Sequence, residues 1–227
     1  MGKEDVGKEP VERRSSAVED YLKAILKLES EGERATTNAI AERLGVSAPS
    51  VTAMAKKLAA DGLVERKPYR GVVLTDDGRR LALEVLRHHR LLERYLAERL
   101  GLGLDEVHDE AERLEHVLSE ELEARIDAEL GFPTHDPHGD PIPDSELRLA
   151  APDGRTLASM TPGERATVTR VPDESADVLR YLAELSLVPG ERVELVLAAP
   201  FDGPVTVRAG GAEHALSREL AASIGVA

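Results

Sequence analysis

Six residues in the middle of the chain have the types and the spacing that a metal site requires. Histidine imidazoles and glutamate carboxylates are common ligands of divalent cations in proteins. Residues four, seven or eight positions apart lie on the same face of an α-helix. The six residues form one pair at i and i+4 and one set at i, i+4, i+7 and i+8, namely His89 and Glu93, then His108, Glu112, Glu115 and His116. Their spacing predicts two metal positions on these helices.

The charge around these residues favours a cation site over a solvated helix face. Residues 91–146 contain 17 acidic and four basic residues, which is a net charge of −13. Like charges crowded on one helix face are unfavourable unless a cation neutralises them. An exposed acidic face is the alternative, because Glu and His also occur at i,i+4 by chance.

The composition is that of a globular protein and excludes several classes of function. The chain has 227 residues, of which 41% are hydrophobic and 32% charged, and its net charge is −14. It contains no cysteine, so a disulfide framework, thiolate zinc fingers, iron–sulfur clusters and cysteine nucleophiles are excluded. Any metal must therefore be held by His, Asp, Glu or Met.

The chain offers no sequence signal for a membrane or for export. No apolar run approaches the roughly 18 residues of a membrane helix, and the first 16 residues lack the apolar core of a signal peptide. We therefore expect a cytoplasmic protein with no membrane partner. Residues 1–15 are polar and charged and are predicted to form a flexible tail.

One basic region stands out in this acidic chain. Residues 34–90 contain eleven basic and six acidic residues, a net charge of +5, which suggests contact with a polyanion. The pattern predicts a short helix ending near Leu44, a tight turn at Gly45, a second helix capped by Ser47, and then two short strands. After the first predicted helix, which begins at Ser16, these elements make a winged helix-turn-helix.

The outward residues of this predicted domain, residues 16–76, are suited to DNA. Small polar groups at the start of the second helix can approach a groove, and basic groups can reach phosphates. A small α+β domain with no nucleic-acid role is the alternative. The candidates are Ser47, Ala48, Pro49, Ser50, Thr52, Lys56 and Lys57 on the helix, and Arg66, Lys67 and Arg70 in the hairpin.

Residues 77–145 are predicted to form a helical domain for metal binding and dimerisation. Gly101 and Gly103 break its helical pattern into two runs, whose apolar stripes predict helix packing or a dimer interface. His88 should point away from His89 and is expected to be exposed.

The rest of the chain changes from helical to β-like patterns. Residues 131–146 are dense in Pro, Gly and Asp and are predicted to be a connector, so no site is assigned to His135 or His138. After a linker at residues 146–154, short strands and one helix over residues 155–227 suggest a small barrel.

Several segments together resemble the diphtheria-toxin-repressor family, and most closely its manganese-responsive actinobacterial branch. They are AERLGVSAPSVTAMAKKLAADGLV, RHHRLLERYL, VHDEAERLEHVLSEELEARI and HGDPIP. The resemblance implies a mainly α fold with β structure: an N-terminal winged helix-turn-helix, a helical dimerisation domain and a C-terminal SH3-like (FeoA-like) barrel. It also implies a homodimer on a palindromic double-stranded DNA operator, with no small organic substrate.

The resemblance further implies a set of metal ligands. A primary site would use Asp20, Glu112, Glu115 and His116, an ancillary site would use His89, Glu93 and His108, and Glu174 or Asp177 of the barrel could add a ligand. Two Mn²⁺ per subunit are expected, with Fe²⁺ as the alternative.

Two positions of the resemblance bear on the choice of metal. The iron-responsive branch has Met and Cys where this chain has Asp20 and Glu112. Hard carboxylates in place of soft sulfur favour Mn²⁺ in relative terms. Lys23 stands where short manganese regulators carry a Glu, so their tight two-metal arrangement is not transferred. Ala53 stands where the iron branch has a base-reading Gln, so its operator sequence is not transferred.

We therefore expect a manganese-dependent transcriptional regulator, mainly a repressor, of metal-homeostasis genes. Three other readings are an iron-dependent regulator, a DNA-binding protein indifferent to metal, and a carboxylate-bridged two-metal enzyme.

Overall fold

A computed structural model of the chain describes residues 15–67, 71–151, 154–173 and 175–227. The chain divides into two compact units, residues 1–82 and 83–227. Within the described ranges, no helix is both long enough and apolar enough to cross a membrane.

The first unit is the winged helix-turn-helix that the sequence predicts. Its short helices have polar caps: Thr36 accepts a hydrogen bond from the Ala39 N–H (3.2 Å), and Ser47 accepts one from the Ser50 N–H (3.3 Å). Gly45 takes a left-handed φ of 62° between the two helices. The elements are α1 (Ser16–Ser30), α2 (Thr37–Leu44), α3 (Ala48–Ala60), β1 (Val64–Lys67) and β2 (Gly71–Leu74), and α4 (Asp76–Leu100) begins in this unit.

The two strands of the first unit are antiparallel and are tied to α1. Val64 pairs with Leu74, and the Leu74 N–H donates to the Glu29 carboxylate at the end of α1 (3.2 Å). Glu29 also forms an ion pair with Arg79 in the first turns of α4. One carboxylate therefore fixes α1, the hairpin and the start of α4 together.

The helical part of the second unit differs from its prediction in one respect. The run after Gly103 is predicted as one helix, but it forms two, α5 (Val107–Leu114) and α6 (Glu120–Glu129). Ser119 accepts a hydrogen bond from the Leu122 N–H (3.3 Å), and acidic residues fill the first turn of α6, where the helix dipole favours them. These local signals start a new helix and leave Glu115 as the C-cap of α5.

The segment of residues 131–146 is more than a connector. It contains no helix or strand apart from one isolated bridge between His135 and Pro141, as expected from its composition. However, Asp136, His138 and Asp140 are buried in it. The composition predicted the lack of helices and strands but not this burial, because composition does not show which residues are buried.

The C-terminal part of the second unit is a small five-stranded antiparallel sheet with helices, as predicted. The strand order is β6-β5-β4-β3-β7, so the last strand returns to pair with the first strand of the barrel. Helix α8 was not predicted. The elements are β3 (Arg165–Arg170), α7 (Ala176–Glu184), β4 (Arg192–Ala198), β5 (Val205–Ala209), β6 (Ala212–Leu216), α8 (Arg218–Ser223) and β7 (Gly225–Val226).

The barrel packs directly on the buried segment. The Val171 N–H donates to the His138 carbonyl (2.9 Å), and Arg170 lies 3.5 Å from the Asp140 carboxylate. Gly139 has a φ of 95°, and a Cβ at this position would lie 1.9 Å from the Thr169 carbonyl oxygen. Only glycine allows the two backbones to approach this closely.

This close approach predicts the effect of Gly139→Ala. Gly163 is a matched control, because its φ is 87° but a Cβ there meets no atom within 4 Å. Both substitutions strain the backbone, by roughly 1–3 kcal/mol. Gly139→Ala should cost a further ~1–3 kcal/mol through the clash. Urea denaturation of both variants measures the difference; equal losses would contradict the close packing.

Candidate metal centre

A buried glutamate on α4 lies at the centre of the second unit. The Glu93 side chain is fully buried, and its Oε1 lies 3.0 Å from His89 Nε2 and 3.2 Å from His108 Nδ1. Its Oε2 lies 3.8 Å from His138 Nδ1. His89 is one helical turn before Glu93, whereas His108 comes from α5 and His138 from the segment of residues 131–146. Three separate elements therefore bring imidazoles to one carboxylate.

A second buried carboxylate lies on the other side of His89. Glu115 is fully buried, with its Oε2 2.6 Å from His89 Nδ1 and its Oε1 3.4 Å from His116 Nε2. Glu112 Oε1 lies 4.0 Å from His108 Nε2. His89 thus has a carboxylate at each ring nitrogen. The ligand atoms of His89, Glu93 and His108, and those of His89, Glu112 and Glu115, lie within 4.8 Å of one another.

A third group was missed at the sequence level. Glu93, Asp136 and His138 are all buried and also place their ligand atoms within 4.8 Å of one another. His138 Nε2 lies 2.9 Å from the Leu104 carbonyl, which leaves Nδ1 on the side of Glu93. Asp136 Oδ1 accepts from the N–H groups of His138 (2.9 Å) and Asp140 (3.0 Å). The sequence Asp-Pro-His was the available signal for a ligand pair. It did not show that both residues are buried, which depends on packing that includes the barrel.

Three buried atoms in this group fit a bound cation. Glu93 Oε2, Asp136 Oδ2 and His138 Nδ1 have no hydrogen-bond partner within the part of the chain that the structure describes. Arg90 Nε lies 3.5 Å from Asp136 Oδ2 and supplies charge but no hydrogen bond. Buried polar atoms without partners cost free energy. A divalent cation with nitrogen and oxygen ligands would satisfy all three atoms at once.

The pKa values of this group show how strongly its charges interact. Burial opposes the charged forms of both Glu93 and His138, but the neighbouring histidines, His89 first, hold the pKa of Glu93 well below its usual range. The Glu93 carboxylate raises the pKa of His138 to about 9 despite burial. Burial, with the charges of Glu93 and Asp140, raises the pKa of Asp136 to about 7. The charge on each of these three groups therefore depends on its neighbours in the cluster.

The remaining predicted ligands have different outcomes. Asp20 lies on α1 of the first unit. Asp177 is exposed on α7, forms an ion pair with Arg180, and belongs to none of the His/Asp/Glu groups found among the described residues. Glu174 lies outside the described residues. The expectation that His88 is exposed was wrong, since only 7% of it is accessible.

The predicted DNA-facing residues are mostly accessible. Ser47, Pro49, Ser50, Lys56 and Lys57 are exposed along α3. Ala48 and Thr52 are partly exposed, and the Thr52 hydroxyl donates to the Ala48 carbonyl (3.0 Å). In the hairpin, Arg66 and Lys67 are exposed, and Lys67 pairs with Glu65. Arg70 lies outside the described residues.

Three family models match consecutive parts of the chain. The iron dependent repressor N-terminal DNA binding domain matches residues 14–72, the iron dependent repressor metal binding and dimerisation domain matches residues 75–144, and the FeoA domain matches residues 155–227. The iron-dependent repressor IdeR of Mycobacterium tuberculosis is 36% identical over 220 residues, which are 92% of this chain and 95% of the relative. The chain belongs to the iron-dependent repressor, or diphtheria toxin repressor, family.

The chain is also similar to a second relative over part of its length and to a solved structure over most of its length. The diphtheria toxin repressor of Corynebacterium efficiens is 46% identical over 125 residues, which are 55% of this chain and 54% of that relative. A solved structure of a manganese-dependent transcriptional repressor in complex with manganese has a TM-score of 0.84 and 42% identity, covering 92% of this chain and 98% of that chain. Members of the iron-dependent repressor family are metal-dependent, DNA-binding transcriptional repressors and not enzymes, which excludes the two-metal enzyme.

The charges around Glu93 predict a pH dependence of the metal-free protein. His138 and Asp136 have raised pKa values in the folded state, so their stabilising contribution is present at low pH and is lost as pH rises towards about 9 for His138 and about 7 for Asp136. The Glu93 carboxylate contributes to both raised pKa values, in second place after burial for Asp136. Glu93→Gln should therefore be much less stable than wild type near pH 6, and the difference should shrink by pH 9.

Urea unfolding of chelator-treated protein between pH 6 and 9 measures this effect. Glu98→Gln is the matched control, because Glu98 lies on the same helix but pairs with Arg94 at the surface. The small difference in stability between Glu98→Gln and wild type should not vary with pH. A pH-independent difference for Glu93→Gln would mean that the Glu93 carboxylate does not set these pKa values.

Proposed function

We propose that this chain is a manganese-dependent repressor of metal-ion homeostasis genes that acts as a homodimer on DNA in the cytoplasm. The observation that carries the proposal is the pair of buried carboxylates, Glu93 and Glu115, joined by His89 and bordered by further imidazoles and carboxylates. The donors in these groups are all carboxylate oxygen or imidazole nitrogen. Oxygen and imidazole ligands favour Mn²⁺ more than soft sulfur ligands do.

The ligand assignment extends from these clusters. The primary ion would be held by Glu112, Glu115 and His116, together with Asp20 of the DNA-binding domain, as the family resemblance implies. A second ion would be held by Glu93 with His89 and His108. The buried geometry adds Asp136 and His138 as competing ligands of Glu93, and Glu174 stays a prediction. Two ions per subunit result.

Asp20 is the proposed switch. A bound divalent ion supplies positive charge that lets several carboxylates occupy one coordination sphere. Without that charge, Glu112 and Glu115 repel the Asp20 carboxylate, and the DNA-binding domains of a dimer sample many separations. When Asp20 is held, the two winged helices stay at the spacing of successive major grooves, about 34 Å. Ligand binding thereby selects the DNA-competent state.

The DNA contacts follow from α3 and the hairpin. Ser47, Ala48, Pro49, Ser50 and Thr52 would face base edges, while Lys56, Lys57, Arg66, Lys67 and Arg70 would contact phosphates. The two-fold symmetry of a homodimer predicts a palindromic operator.

Iron is the second candidate for the activating metal. The specific observation in its favour is that the relative from Mycobacterium tuberculosis, which matches over 92% of this chain, is named an iron-dependent repressor. Fe²⁺ also accepts imidazole and carboxylate ligands. The presence of Asp20 and Glu112 in place of sulfur donors is the reason for preferring manganese.

The test is DNA binding by chelator-treated protein to fragments of its own genome. We expect retarded fragments with Mn²⁺ and none without metal, and chelation should reverse the binding. Stronger activation by Fe²⁺ than by Mn²⁺ under anaerobic conditions would favour the iron-dependent alternative. DNA binding that does not depend on metal would overturn both the manganese-dependent and the iron-dependent proposal.

Asp20→Ala should weaken the dependence of DNA binding on metal. We expect at least a tenfold weaker Mn²⁺-dependent binding, because one ligand from the DNA-binding domain is lost, while circular dichroism and the oligomeric state stay unchanged. Glu19→Ala removes an adjacent carboxylate on α1 and should leave the Mn²⁺ response intact. An unaltered response in Asp20→Ala would disprove the switch.

A further inference from the structure

A separate cluster of potential ligands lies between α4 and α6, and it shares no residue with the groups around Glu93 and Glu115. His88 is buried on α4, and its Nε2 lies 2.9 Å from Glu123 Oε2 and 4.0 Å from Glu120 Oε1. The ligand atoms of His88, Glu120 and Glu123 lie within 4.8 Å of one another. The first turn of α6 supplies both carboxylates, so the cluster joins two helices that are far apart in sequence.

The His88 ring is oriented as in many metal sites. Its Nδ1 lies 3.2 Å from the backbone carbonyl of Glu115, which can accept the Nδ1 proton. Nε2 faces the two carboxylates, and without metal its N–H donates to Glu123 Oε2 (2.9 Å). Loss of this proton exposes the Nε2 lone pair to a cation. Metal-ligating histidines usually donate their other ring N–H to a carbonyl or carboxylate in this way, which fixes the tautomer and the ring orientation.

The charges of the cluster leave room for a cation. Arg87 donates to Glu123 Oε1 (2.6 Å), to Asp127 Oδ2 (2.6 Å) and to the Pro143 carbonyl (2.7 Å), so its guanidinium is shared between two carboxylates. Glu123 Oε2 is left to His88. Among the described residues, His88 is the one ionisable nitrogen within 4 Å of the Glu120 carboxylate. Glu120, Glu123 and Asp127 thus outnumber Arg87 and His88.

The cluster is also open at one end. The Glu120 side chain is 77% exposed, whereas those of His88 and Glu123 are 9% and 11% exposed. A cation could enter from solvent past Glu120 and complete its coordination with water. By comparison, the Glu93 and Glu115 side chains at the centres of the other groups are fully buried.

We propose that His88, Glu120 and Glu123 form an accessory divalent-cation site on the dimerisation helices. It offers one imidazole nitrogen and two carboxylate oxygens, all of them donor types that Zn²⁺ accepts. An open site with few protein ligands imposes little geometric selection, so its affinities follow the general order in which Zn²⁺ binds more tightly than Mn²⁺. Occupancy cross-links α4 to α6 beside Glu115. The site is independent of the proposed manganese switch.

The deciding variant is Glu120→Gln. Glu120 is at the surface, so the substitution removes one charged ligand without disturbing the buried Arg87 contacts. Glu121→Gln is the matched control, because Glu121 is the next residue on α6, is 79% exposed and pairs only with Arg125 among the described residues. His88→Gln removes the imidazole as a second test.

Equilibrium dialysis of the full-length, chelator-treated proteins against Zn²⁺, with metal analysis, counts the bound ions. The ligands around Glu93 and Glu115 are the same in all variants, so ions bound there do not change the difference between variants. We expect Glu120→Gln and His88→Gln to lose one equivalent, or to bind it at least tenfold more weakly, and Glu121→Gln to match wild type. Zn²⁺ should also raise the Tm less in Glu120→Gln than in Glu121→Gln.

The outcomes separate this proposal from the manganese switch. Glu120→Gln should keep the Mn²⁺-dependent DNA binding of wild type, because Glu120 is not a ligand of the proposed regulatory ions. Superimposable Zn²⁺ binding curves for Glu120→Gln and wild type would overturn the accessory site and leave a permanent His88–Glu123 ion pair. Loss of metal-dependent DNA binding in Glu120→Gln would also contradict it, by showing that the cluster belongs to the switch.

Discussion

The arrangement of the second unit depends on the burial of one carboxylate. Glu93 has no access to solvent, and an isolated charge in that position would be strongly unfavourable. The fold compensates with imidazoles from α4, α5 and the segment of residues 131–146, which hold the pKa of Glu93 low. Because the compensation comes from three elements, their positions depend on one another. The same convergence places the nitrogen and oxygen atoms where a divalent cation needs them.

The barrel takes part in this arrangement through its backbone. The Val171 N–H bonds to the carbonyl of His138, and the approach of Gly139 to Thr169 keeps the connecting segment against β3. The position of His138 beside Glu93 thus depends on packing between the barrel and a segment without regular structure. Such a segment can be well ordered when backbone and side chain bond to each other, as Asp136 Oδ1 does by accepting from two backbone N–H groups. In this family member the FeoA domain helps to shape the candidate metal centre.

The choice of donors connects this geometry with function. Oxygen and imidazole ligands without sulfur are compatible with manganese and with iron, and the family includes regulators named for each metal. A second unit that collects acidic residues is also coherent with metal sensing, because a bound ion relieves repulsion that the folded protein otherwise has to bear. The basic residues of α3 and the hairpin belong to the first unit, so the acidic and basic residues with proposed functions lie mostly in different units of the chain.

The sequence by itself determined the local elements and their chemistry. Helical periodicity predicted α1 to α4, capping residues and glycines predicted their ends, and the i,i+4 spacing predicted that His89 and Glu93 share a helix face. These features depend on neighbours within a few residues. Only the tertiary structure decided which polar residues are buried. His88, Asp136 and His138 look like surface residues in sequence, but Arg87, α6 and the barrel enclose them. The break after α5 depended on local caps that compete with a continuous helical pattern. Burial is a property of contacts between distant segments, so residue spacing alone does not contain it.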